Sequence, residues 1–199
     1  MSKAVNATTT DDYRDAVASG KSANARSDGD FSTAVAIGSR GSIAISNGNY
    51  SHAVCVGEGD RAGSAFTVSV MGAGSHAVGI GDHHHIMANG NGHAVAVGDC
   101  GLVSATEAAA VAIGAGGCAT AYGADGMAVA LGYNSRARGM LGSWLVVAEF
   151  VHDYEAEKDR DDPVLHLVAI KAAKIDGVNI QPDVYYRLVD GEFVLAQNE

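Results

Sequence analysis

A chain of 199 residues with 47% hydrophobic content fits one domain, or a domain with a small appendage. It has 26 glycines, two prolines and only 6% aromatic residues. That mix excludes one thick core, so any core must be thin and repeated. The formal net charge is −10, concentrated after residue 140 with HDYEAEKDRDD at 152–162 as the densest run. Without a basic stripe to displace counterions, direct nucleic-acid binding is disfavoured, while a basic protein partner stays compatible.

The first 15 residues are polar and read as neither leader nor membrane segment, and no apolar run is long enough to span a bilayer. No membrane partner is expected, and a cytoplasmic location is. Cys55, Cys100 and Cys118 are odd in number and irregularly spaced, which suits a reducing compartment better than a disulfide framework.

Residues 16–139 are a repeat. An alanine, once isoleucine, opens an apolar unit at Ala16, Ala25, Ala34 and Ile43, then at Ala53, Ala65, Ala77, Ala94 and Ala110, and again at Ala119, Ala128 and Ala137. The strict step is nine residues, and the clearest form is AVAIG, AVAVG or AVALG. Alternating residues closed by glycine read as a short strand ended by a tight turn. Nine residues are too few for a helix and a return, so the prediction is an all-β fold: a parallel β-solenoid of nine-residue rungs. The departures from nine are read as insertions at 57–64, 70–76, 81–93 and 98–109 that decorate the rod.

The two faces of each strand differ. The alanines suit a cramped interior, while Val35, Ile37, Val95, Val97, Val111, Ile113, Val129 and Leu131 form a branched row on the other side. A lone solenoid would leave one row exposed, and contiguous apolar stripes mark interfaces. The expectation is a homo-oligomer through that row, with a closed parallel trimer favoured over a dimer.

Histidines supply the candidate chemistry. His83, His84, His85 and His93 in DHHHIMANGNGH are of the type that binds zinc or nickel, but adjacent residues of an extended chain alternate in direction. The stretch is therefore read as an exposed loop, with no metal and no cofactor assigned. His52, His76 and His93 each precede a strand-opening alanine and share one corner, so they are expected to stack; a plain polar corner, as at Thr33, Ser42 and Ser64, is the simpler reading. Glu58, Asp60 and Arg61 complete the candidate binding loops. Glycine-rich stretches such as GAGSHAVG lack the strand-then-helix context of a nucleotide loop. Neither Cys55 nor Cys118 has a recognisable base beside it. The acidic loop of Glu155, Glu157, Asp159, Asp161 and Asp162 lacks the alternating oxygen pattern of a calcium site.

From Met140 large residues replace the repeat. GSWLVVAEFV and VLHLVAIKAAKI read as strands, and Asp176-Gly177 and Asp190-Gly191 as hairpin turns, with Pro182 in a loop. Residues 140–199 are expected to form a small antiparallel β-meander that caps the open end, with Trp144, Phe150, Tyr185, Tyr186 and Phe193 as its bulk. A partner-binding module with exposed aromatics is the alternative.

Repeats such as TAVAIGSRGSIAIS and GMAVALGYNSRARG resemble the heads of trimeric autotransporter adhesins, which implies a left-handed β-roll and trimers. The expected lack of a leader, heptad stalk and anchor argues against carrying over the adhesins' secretion. Nonapeptide repeats running into GYNSRARGMLGSWLVVAEF and AAKIDGVNIQPDVYYRLVDGEFV are similar to a family of uncharacterised bacteriophage and prophage proteins. That resemblance implies a phage context and a host or phage macromolecular partner. The hexapeptide acyltransferases, which also use β-helices, do not fit, because the step here is nine and the inward residue alanine. The reading is therefore a non-enzymatic, phage-associated binding protein acting stoichiometrically in the host cytoplasm, with host-defence inhibition as its purpose. A virion receptor-binding head and a metal-dependent or acyl-transferring enzyme are the alternatives.

Overall fold

The structure, a computed structural model, describes residues 5–38, 41–57, 66–154 and 164–196. The chain winds as a parallel β-solenoid in which each coil gives one strand to each of two sheets. The first sheet carries β1 (Val5–Thr9), β3 (Ala23–Ser27), β5 (Ile43–Ser46), β7 (Phe66–Met71), β9 (His84–Asn89), β11 (Leu102–Thr106), β13 (Cys118–Tyr122) and β15 (Arg136–Gly139). The second carries β2 (Ala16–Ser19), β4 (Thr33–Ile37), β6 (His52–Val56), β8 (His76–Ile80), β10 (His93–Val97), β12 (Ala109–Ile113), β14 (Met127–Leu131) and β16 (Trp144–His152).

The nine-residue unit is thus half a coil, not a rung. Ala110 pairs with Ala94 and Ala128, whereas Ala119 lies in the other sheet over Ala137. Two of the expected insertions are also strands. β9 falls within 81–93 and β11 within 98–109, each pairing in parallel with its neighbours in the first sheet. Ile43 points outward and Ala44 takes the inward position, and Ala65 lies outside the described residues. Val5–Thr9 pairs with β3, so the first sheet begins N-terminal to Ala16.

Alternation explains the interior. Ala34, Ala36, Ala94, Ala96, Ala110, Ala112, Ala128 and Ala130 are all essentially inaccessible and fill the gap between the sheets with methyl groups. Polar ladders close the corners. Ser32, Ser51 and Ser75 are fully buried, and each hydroxyl donates to a backbone carbonyl of the previous coil, at Asp11 (3.2 Å), Gly29 (3.0 Å) and Gly48 (2.9 Å). Beside them Asp12, Asp30 and Asn49 accept the N–H of the next coil at 2.7–3.0 Å. Corner amides that a small turn cannot pair internally are satisfied between coils instead. Tyr13, Phe31 and Tyr50 stack outside the same corner with ring centroids 5.1 and 5.3 Å apart.

The interior departs from alanine at Val103 of β11, at Leu145 and Val147 of β16 and, most of all, at the level of β7 and β9. Phe66, Val68 and Val70 of β7 and His84 and Ile86 of β9 are all buried. Small residues across from them compensate: a Cβ at Gly79 would sit 2.6 Å from Ile86 and 3.1 Å from the His84 ring. Cys55, also buried there, has its thiol pushed up to about 12 by desolvation, which makes it inert as a nucleophile.

The C-terminal segment extends both sheets. β16 is the last parallel strand of the second sheet, and β17 (Leu165–Lys174) returns antiparallel along it. A hairpin of β18 (Tyr186–Val189) and β19 (Glu192–Leu195) adds antiparallel to β15. Asp190-Gly191 turns that hairpin with φ of 52° and 72°, the left-handed pair that a two-residue turn needs. Glu149 is buried and takes both turn amides, Asp190 N–H at 2.7 Å and Gly191 N–H at 2.8 Å. Asp176-Gly177 is a turn but not a hairpin. The Asp176 carboxylate accepts from the Val178, Ile180 and Asn179 amides and the Asn179 side chain, which holds it charged well below the usual carboxylate range.

The bulk of the cap is not the expected aromatic set. Ile175, Ile180, Tyr186 and Leu188 are buried, whereas Trp144 stands 43% exposed on the outer face of β16 and Tyr185 lies on the outer face of the first sheet. Phe193 is half-buried and meets Tyr186 edge-on.

His84 is 2% exposed, and its ring nitrogens fall short of full hydrogen-bonding geometry, with only the Ile80 and Gly81 backbone near enough to favour the charged ring. Such a group costs on the order of 1–3 kcal/mol. His84→Leu is therefore expected to stabilise the fold by about 1 kcal/mol, read as a higher urea midpoint with unchanged m-value. Destabilisation of that size instead would mean that His84 has a bound partner.

Candidate functional site

The outer faces of the two sheets differ in chemistry. The first sheet is mixed, with Asn24, Arg26, Thr67, Ser104, Thr120, Arg136 and Arg138 sharing its outward positions with Ile43, Ile45, Met87 and Leu102. The second sheet points out aliphatics. Parallel register stacks Val17, Val35, Val54, Val78, Val95, Val111, Val129 and Val146 in one column. Ile37, Val56, Ile80, Val97, Ile113 and Leu131 form a second column beside it.

All eight residues expected at an oligomer interface lie in these columns. From Val35 onward the Val column is half-buried by its own neighbours, Val17 on the end strand is 59% exposed, and Ile37, Ile80, Val97 and Ile113 are 40–48% exposed. β17 continues the face, with Ala172 opposite Val146 and Ile170, two residues back, at 57% exposure. Nine strands at ~4.8 Å make the face roughly 40 Å long, and three residue positions make it about 13 Å wide. Val17, Val54, Val56, Val78, Ile80 and Val146 are members that the sequence reading passed over. Their signal was the same in-out alternation in HAVCV and HAVGI.

A third column borders this face: Thr33, His52, His76, His93, Ala109, Met127 and Trp144. The three imidazoles do stack, at 5.3 and 5.2 Å between centroids with planes 15° and 4° apart. The Ala109 N–H donates to His93 Nδ1 at 3.2 Å, which leaves the ring proton on Nε2. Desolvation, then the neighbouring His93 and His52, holds His76 below its ordinary pKa.

The DHHH run is not an exposed loop. His84 is in the interior, His85 is exposed on the outer face of the first sheet, and His83 occupies a left-handed corner at φ 57°. The three adjacent imidazoles thus diverge, and only His93 of that stretch joins His52 and His76. Among the described residues no three His, Cys, Asp or Glu side chains gather as a metal set. Glu58, Asp60 and Arg61 lie outside the described residues, as does the run Glu155, Glu157, Asp159, Asp161 and Asp162.

The histidines give the fold an acid limit. His76 and His84 both have folded pKa values below the ordinary 6.5, His84 chiefly through burial. The unfolded chain therefore binds protons first, and stability present above about pH 6.5 falls as pH drops towards the depressed folded values. Urea unfolding between pH 7.5 and 5.0 should show that loss, and the pair His76→Gln and His84→Leu should flatten it. An unchanged slope in the double variant would contradict the assignment. Comparison with protein-family models, curated proteins and solved structures finds no match to this chain.

Proposed function

We propose that the protein is a non-enzymatic binding rod that assembles with copies of itself through the outer face of the second sheet. The observation that carries this reading is the unbroken Val column from β2 to β16, with the Ile column beside it from β4 to β14. A contiguous apolar strip of this extent is of the size that marks an interface rather than a monomer surface. The occupant is a second copy of this chain because the strip repeats at the strand spacing. Only a partner with the same axial repeat meets every Val at the same height. Each protomer offers one such face, so a parallel trimer closes it around an axis along the rod. In that arrangement the histidine column of one protomer borders the Ile column of the next.

The mixed first sheet and the ladder corners remain outside and are the surfaces left for a macromolecular partner. The phage resemblance of the C-terminal segment supports a partner in an infected host, and the role we propose there is sequestering a host defence component in the cytoplasm. The exposed Tyr13, Phe31 and Tyr50 ladder favours a second reading, a receptor-binding head on a virion. Recovery with purified particles, rather than from cytosol early in infection, separates the two.

Sedimentation velocity at micromolar concentration tests the assembly. The expected species has about three times the 20.2 kDa chain mass. The Val111→Ser, Ile113→Ser double variant should sediment as a monomer with an unchanged far-UV spectrum, since both side chains lie outside the core. A monomeric wild-type protein would sink the reading.

A further inference from the structure

The first sheet carries a second feature, at the junction of β15 with the C-terminal hairpin. Ala137 pairs with Tyr186 in antiparallel register, and both point inward. Their neighbours Arg136 and Arg187 therefore stand opposite each other on the outer face, an arrangement that like charges disfavour. No carboxylate offsets it. Arg138, next along β15, bonds Asp183, Thr120 and Tyr122 and covers one side of the Tyr185 ring at 4.7 Å. Glu149, the buried acid nearest the hairpin turn, is occupied by the Asp190 and Gly191 amides. Arg136 packs on Tyr185 at 5.0 Å and donates from its Nε to Cys118 Sγ at 3.0 Å, and among the described residues its two terminal nitrogens have no hydrogen bond or ion pair. Arg187 is exposed and has no ion pair among the described residues.

Both guanidinium groups line one cleft of about 600 Å³, together with Asn134 and an apolar wall of Val189, Val194 and Leu195. That volume is within the range of small-molecule sites, and such sites combine apolar walls with a few converging polar groups. We propose that this cleft binds a small organic oxyanion, a phosphate ester or a carboxylate, with its charged head between Arg136 and Arg187 and its apolar body against the β19 wall. Guanidinium forks match the planar or tetrahedral oxygens of such a head, and Tyr185 fixes one fork in place before the ligand arrives. The anion relieves the repulsion between the two arginines, so ligand binding and cap stability are coupled. The cleft lies on the opposite sheet from the assembly face, and its occupancy is independent of the oligomeric state.

Calorimetric titration of the full chain tests this with phenyl phosphate and benzoate, which share a body and differ in head, and with benzyl alcohol as the uncharged control. The expected result is saturable binding of at least one anion, weakened by added salt, with benzyl alcohol silent. Preference for phenyl phosphate assigns a phosphate ester, and preference for benzoate a carboxylate. Arg187→Gln should weaken binding about tenfold or more. Because Arg187 makes no fold contact, the same variant should raise the ligand-free thermal midpoint by relieving repulsion, which a merely structural arginine would not do. Absence of binding by both anions at millimolar concentration, or binding indifferent to Arg187→Gln, would overturn the proposal. Sedimentation of the same samples keeps a failure here distinct from a failure of assembly.

Discussion

Everything in this fold follows from the width of its interior. Where two sheets are separated by alanine methyls there is no room for larger side chains, so the branched aliphatics of the even-numbered strands from β2 to β14 point outward. The glycine corners and the serine and Asx ladders are the local consequences: each turn is too tight to satisfy its own amides and borrows acceptors from the adjacent coil. The apolar outer face is the global one. A chain with 47% hydrophobic residues and a thin core carries much of its apolar surface outside.

The level of β7 and β9 shows how strictly the width is held. Phe66, Ile86 and His84 enter there with Gly79 standing where the next coil has Ala96. The cost is a desolvated imidazole short of full hydrogen bonding and a thiol moved far from reactivity. The same histidine-rich stretch also sends His93 to the border of the apolar face.

The repeat and its in-out alternation were legible because each depends on side-chain size at a fixed spacing. The half-coil was not, because both sheets use the same inward alanine. The outward residues do separate them, with Val35, Val111 and Val129 on one sheet against Asn24, Thr120 and Arg138 on the other. β9 and β11 were hidden by His84, Ile86 and Val103 in the alanine positions. Trp144 was misplaced because a lone tryptophan reads as core, whereas here the core at its level is already filled by Leu145 and Val147. The arginine cleft had no sequence signal at all, since Arg136 and Arg187 meet only through the antiparallel register of a hairpin far along the chain.

The central claim is that identical faces meet in parallel and in register. Pulsed electron resonance on single spin labels at positions 35, 111 and 129 in turn, with the native cysteines replaced, tests it most directly. The account predicts one short inter-protomer distance that is the same at all three heights. No dipolar coupling at any position, or a distance that changes steadily from one end of the rod to the other, would contradict it.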